Sequence, residues 1–129
     1  MPSRPTSPHL SVYKFRYTLV SSILNRLTGI ALSIGLVALT YWLLSVAAGA
    51  RPQQQAQALL CTPVMKLFLA AMVISFCYHL VAGIRHLVWD TGRALERATS
   101  QRSAWLVGVL SIALMLLVGY CLWHARHAP

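Results

Sequence analysis

Cysteine and acidic side chains are the scarce types in this chain. Three cysteines, Cys61, Cys77 and Cys121, lie scattered without CxxC spacing, so neither a disulfide framework nor a zinc site is supported. They read as small residues facing lipid or a helix bundle. Asp90 and Glu96 stand alone against eleven Lys and Arg, a formal charge of +9. Such a balance can signal nucleic acid, but its distribution argues against that partner. Four basic residues precede or open the first apolar run (Arg4, Lys14, Arg16, Arg26), and four follow the second (Arg85, Arg93, Arg97, Arg102). Three fall on the other side (Arg51, Lys66, Arg126), a split of 8 to 3. The bias predicts a cytoplasmic N-terminus and a periplasmic C-terminus, with some attraction to anionic membrane lipid or an acidic partner surface. An HExxH zinc signature is absent, as is the nucleophile elbow that a Ser/His/Asp hydrolase would need. No apolar run lies within the first 26 residues, so no cleavable targeting segment is expected there. The first span is then its own insertion signal. There is no internal repeat and no low-complexity domain.

Apolar runs are what the chain has. It is 57% hydrophobic over 129 residues, with a mean hydropathy of +0.62. Leu27–Ala50, Val64–Leu87 and Ala104–Trp123 are each 20 to 24 residues long, against roughly 20 for a helix that crosses the hydrocarbon layer. None shows strand alternation, and only helices and closed barrels satisfy their backbone in lipid. The expected fold is an all-α membrane protein, one membrane-anchor domain over 1–129 with three transmembrane helices at about 27–50, 64–87 and 104–123. Residues 1–20 show no helical periodicity, and Pro2, Pro5 and Pro8 make them an extended arm, because proline fixes φ and restricts the residue before it. Residues 1–26 are thus expected to form a cytoplasmic arm and the start of the first helix. Residues 51–63, with four glutamines, read as solvated filler or a short surface helix. The connection Thr91–Ser103 reads as a surface turn, and His124 and His127 as a solvated tail.

Polar residues at membrane depth carry the chemistry. At 3.6 residues per turn His79, Gly83, His86 and Asp90 share one helical stripe, with a gap where Gly83 has no side chain. Gly83 would let a flat cofactor approach the backbone beside two imidazoles. A second stripe joins Ser22, Asn25/Arg26, Gly29 and Ser33, and Gly29 with Ser33 would let another helix approach closely. Arg26 is expected at the same depth as His86 and Asp90, so that two polar clusters share one layer. Each residue also has a plainer role. Ser22 can cap or bond within its helix, Arg26 can snorkel to the interface, and His79 can simply hydrogen-bond across a bundle. Haem ligation suits an imidazole among apolar helices. A proton path along His and Asp is a second reading. Span three, with Gly108, Ser111 and Gly119, reads as structural.

Three segments carry a resemblance. Arg4 through Tyr13 (RPTSPHLSVY), Ser22 through Gly29 (SILNRLTG) and His79 through Asp90 (HLVAGIRHLVWD) resemble, in order, the signatures of the cytochrome b subunit family of succinate dehydrogenase. The resemblance covers essentially the whole chain. It implies a subunit of succinate:quinone oxidoreductase in a bacterial inner membrane, with no dicarboxylate chemistry or catalytic residue of its own. The implied partners are a flavoprotein subunit, an iron–sulfur subunit and a second small membrane-anchor subunit, together forming a heteromeric helix bundle. Haem b would be shared with that second anchor, and quinone would be the substrate. By the resemblance His79 is the axial iron ligand and His86 lies near the haem propionates. Ser22 and Arg26 match quinone-pocket positions, Arg26 also standing beside the cofactor. Asp90 and Arg85 match polar positions near that pocket and the propionates. The chain departs from the family at Asn25, where histidine is usual; asparagine hydrogen-bonds but carries no charge. A haem-free structural anchor for a peripheral dehydrogenase is the alternative.

Overall fold

The computed structural model describes residues 17–128, and the arm signature Arg4–Tyr13 lies outside them. Four helices follow in order: α1 (Tyr17–Ala47), α2 (Ala50–Leu60), α3 (Pro63–Asp90) and α4 (Arg97–His127). No strand occurs among the described residues. The three long helices are apolar and long enough to cross a membrane. Leu36, Val37, Leu67 and Leu116 are among the large hydrophobics that lie exposed, the arrangement a lipid solvent calls for.

Each of the three helices outruns its apolar stretch. α1 has 31 residues and begins ten before Leu27; at about 1.5 Å per residue it is ~46 Å long, more than the ~30 Å hydrocarbon layer. Residues 17–20 are thus helical and not part of the extended arm. The glutamine-rich connection forms α2, a mostly exposed surface helix with Ala56 buried. Gly49, at φ 109°, turns the chain between α1 and α2 where a side chain would be strained. Thr62 caps α3, its hydroxyl accepting from the Met65 amide at 3.4 Å, and Pro63 follows where a missing N–H costs nothing. Gly92 (φ 76°) ends the α3 turn. α4 then starts at Arg97, so most of the expected surface turn is helix, and α4 runs on to His127. His124 and His127 are therefore helical residues, exposed as expected, with rings beside Tyr120 and Trp123 at centroid distances of 6.1 and 5.0 Å.

Packing is uneven along the bundle. Most buried residues of the long helices, Ser21, Cys77, Ala82, Arg85, Ala104, Val107 and Ser111, lie in the half nearer the α1 N-terminus, while Ser45 is buried near the other end of α1. Small side chains let the three helices approach closely there, which is how helices associate in lipid. Tyr17 stacks on Trp105 at 4.6 Å and closes that end. Toward the other end a groove opens along α1 and α3, which still meet where Gly35 approaches Met72. Cys77 faces the bundle while Cys61 and Cys121 are exposed.

Candidate functional site

His79 sits where the tight half of the bundle meets the groove. Its Nδ1 stands 3.1 Å from the Asn25 carbonyl oxygen and 3.3 Å from Thr28 Oγ1. A carbonyl only accepts, so this contact assigns the proton to Nδ1, and in the neutral ring Nε2 is then the nitrogen with a lone pair. Thr28 donates to the Leu24 carbonyl at 2.8 Å. Gly29 makes room for the ring, since a Cβ there would lie 3.1 Å from His79 Cε1. The close approach expected of Gly29 is thus made against α3, and the incoming group is this imidazole. Gly83, by contrast, has nothing within 4 Å of its Cβ position.

The groove has a volume of about 970 Å³ and is lined by His79, Gly29, Met72, Phe76, Trp42 and other largely apolar side chains of α1 and α3. That size lies within the usual range of small-molecule sites. An imidazole with its second nitrogen fixed by a carbonyl is the standard arrangement of a metal-ligating histidine. Among the described residues no three His, Cys, Asp or Glu side chains gather into a metal cluster. A metal held here through His79 would therefore need its remaining ligands from a macrocycle or a partner.

The other predicted residues lie outside this groove. Ser22 is half-buried, His86 is half-buried with its ring edge-on to Trp89 at 5.2 Å, and Arg26 and Asp90 are exposed. Gly29 packs on His79 and Ser21 meets Arg85, which sets antiparallel α1 and α3 in register. At 1.5 Å per residue that register puts Arg26 and Asp90 about 12–15 Å apart along the helix axes. The expected single layer is corrected accordingly: Ser22 is level with His86, Arg26 lies deeper and Asp90 further out.

Several further contacts surround the predicted residues, some made by side chains, such as Tyr78 and Ser21, that the sequence did not single out. Tyr78 donates to the Ser21 carbonyl or hydroxyl, each at 3.1 Å. Arg85 turns away from the groove toward α4, where Ser100 and Ser103 receive it. The Asn25 side-chain oxygen is buried without a hydrogen-bond partner among the described residues, and so is Ser111 Oγ. Ser21 was hidden beside Ser22, and Ser100 and Ser103 inside a segment read as loop.

Three helices long and apolar enough to cross a membrane, with one imidazole at an apolar groove between two of them, define a helical membrane protein. The chain belongs to the succinate dehydrogenase/fumarate reductase transmembrane subunit family, whose profile matches residues 1–118. It is 39% identical over 115 residues to the succinate dehydrogenase cytochrome b556 subunit of Rickettsia prowazekii, covering 89% of this chain and 90% of the relative. The cytochrome b556 subunit of Paracoccus denitrificans is 33% identical over 118 residues, covering 90% and 91%. The mitochondrial cytochrome b560 subunit of Bos taurus is 35% identical over 112 residues, covering 85% of this chain and 66% of its own length.

Proposed function

We propose that this chain is the haem b- and quinone-binding membrane anchor of a bacterial succinate dehydrogenase. It lies in the inner membrane with its N-terminus cytoplasmic, beside a second small anchor and beneath an iron–sulfur and a flavoprotein subunit. One observation carries the reading: the Asn25 carbonyl holds His79 Nδ1–H and leaves Nε2 free at the head of an apolar groove. Bound haem would supply a one-electron store in a dry setting whose polarity tunes its potential. His79 would be this chain's axial ligand, with the second ligand from the other anchor. His86, one level further out and half-buried like His79, would stand nearer a charged propionate.

Quinone binding is assigned to the α1 face that carries Ser22 and Arg26, with Asp90 at the rim. Neither Ser22 nor Arg26 takes part in the ties between α1 and α3, which run through Ser21, Asn25 and Thr28. Both are therefore free to meet a ligand from the partner side. Arg26 would orient a quinone carbonyl and favour the developing negative oxygen, and Ser22 would add a hydroxyl donor. Succinate chemistry belongs to the flavoprotein, so no catalytic residue is assigned here.

A reduced-minus-oxidised optical spectrum of the purified complex tests the central claim. A low-spin b-type difference spectrum is expected. Its absence from a fully assembled, succinate-oxidising complex would leave the chain a haem-free anchor.

A further inference from the structure

Arg85 is the one charged side chain that the bundle buries among the described residues, at 6% exposure. Its Nε–H donates to Ser103 Oγ at 2.9 Å, and one terminal nitrogen donates to the Ser100 carbonyl at 2.9 Å. The same nitrogen is 3.5 Å from Ser100 Oγ, and the other terminal nitrogen is 3.5 Å from Ser21 Oγ on α1. The guanidinium lies 3.9 Å from the centroid of the Trp89 ring on its own helix. All three long helices thus meet at one planar group.

These partners are hydroxyls, a carbonyl and an indole face, and none of them is an anion. A buried cation without a carboxylate is costly, so stability alone is a poor reason to keep it. Geometry is the better reason. A guanidinium presents five donors in a rigid fork and can reach two neighbouring helices while it stacks on a third surface; an ammonium cannot. With its donors committed to α1 and α4, Arg85 is also a poor candidate for a haem propionate.

The tie to α1 has consequences because of where it falls. Ser21 is one turn before Asn25, whose carbonyl holds His79, and it is next to Ser22, which is one turn before Arg26. Fixing Ser21 fixes the rotation of α1 for both faces. We infer that Arg85 is a positioning residue, a clamp that sets α1 and α4 against α3 and so aims the Ser22–Arg26 face. The clamp stands on the contacts alone, while its effect on quinone rests on the function proposed above.

The test uses the intact complex carrying Arg85→Met, Arg85→Lys or Ser103→Ala, with two readouts. Amide hydrogen exchange over residues 21–28 should quicken in Arg85→Met and Arg85→Lys, and less so in Ser103→Ala. The quinone KM should rise on the order of tenfold in Arg85→Met, the scale on which a displaced binding group acts, with succinate turnover by a soluble dye unchanged. Lysine should not rescue either readout. A lysine variant at wild-type KM and exchange would show that charge alone matters and overturn the clamp. Quickened exchange with an unchanged KM would overturn the aiming role. Should Arg85→Met fail to assemble, Ser21→Ala and Ser103→Ala carry the same two expectations, and unchanged exchange in both overturns the proposal. Failure of the quinone reading is separable. It would show as normal quinone turnover in Arg26→Leu, and the clamp would then be judged on exchange alone.

Discussion

His79 Nδ1 lies 3.1 Å from the carbonyl oxygen of Asn25, a contact between α3 and α1. The helix around Asn25 already uses its backbone groups, so this carbonyl accepts a second hydrogen bond through its other lone pair. That contact favours the tautomer with its proton on Nδ1, aims the ring, and adds to the contacts that hold the two helices in register. It also shows what the position asks of residue 25: the backbone does the holding, and the side chain is left over, its oxygen buried and unpartnered among the described residues.

Replacing His79 by leucine should abolish the low-spin bis-histidine spectrum of the complex or leave a weakly held, altered haem. Iron needs its strong ligand in an apolar setting, and His79 lines the apolar groove. His86→Leu should keep the low-spin spectrum and at most shift its potential, since His86 lies outside that groove beside Trp89. Optical and paramagnetic resonance spectra of both variants decide. A normal spectrum in His79→Leu would make that residue a packing contact of about 1 kcal/mol; the swapped outcome would move the ligand to His86.

The two glycines of α1 that touch α3 should respond differently. A Cβ at Gly29 meets the His79 ring at 3.1 Å, and the ring is held from behind by Asn25. Gly29→Val should therefore displace the imidazole and lower haem content, with an overpacking cost of about 1–3 kcal/mol. At Gly35 a Cβ would come within 2.7 Å of Met72 Sδ, but a methionine terminus can rotate away. Gly35→Ala should retain full haem content and lower the thermal stability of the complex only slightly. Equal haem loss in both variants would show that helix spacing, not the ring, governs retention.

The spans were legible because twenty apolar residues in a row have few other solutions. Their ends were not. Residues Tyr17–Arg26 and Arg97–Ser103 are polar enough to leave the hydropathy signal, yet their backbones bond within the helix whatever the side chains do. Those hidden turns hold Ser21, Ser100 and Ser103, so the partners of Arg85 could not be read before α4 was known to begin at Arg97. The stripe of His79 and His86 was visible from its period, but period alone does not say which imidazole meets a carbonyl. Depth failed for a related reason. Arg26 and Asp90 each stand near the end of an apolar run, while the actual helices extend past those runs by different amounts.

Arg26→Leu should sharply reduce quinone reduction and leave succinate oxidation by a soluble dye intact, because the dicarboxylate site is assigned to another subunit. Arg26 is exposed and Ser22 half-buried one turn away, so the loss would be of a ligand contact and not of a helix tie. Arg26→Lys should recover only part of the activity, since an ammonium lacks the planar fork that grips a carbonyl from two donors. Steady-state assays with a quinone and with a dye, run on the same preparation, give the comparison. Unchanged quinone turnover in Arg26→Leu would reduce this arginine to an interfacial anchor.

A reporter fused after Pro129 should be active only on the periplasmic side. The expectation comes from the 8-to-3 division of Lys and Arg between the two faces, and the helices make it sharper. α1, α3 and α4 cross in alternation, so the end of α1 that packs with Arg85 and the α3–α4 turn lies on one side, and the end of α4 lies on the other. Arg93 and Arg102 flank that turn and would be held on the cytoplasmic side, against Arg126 alone in the last turn of α4. The orientation also decides where Ser22, Arg26 and His86 lie, at the face where an iron–sulfur subunit could deliver electrons. A C-terminal reporter active in the cytoplasm, in membranes where the complex is assembled, would turn the chain over and put the proposed quinone face on the wrong side for that delivery.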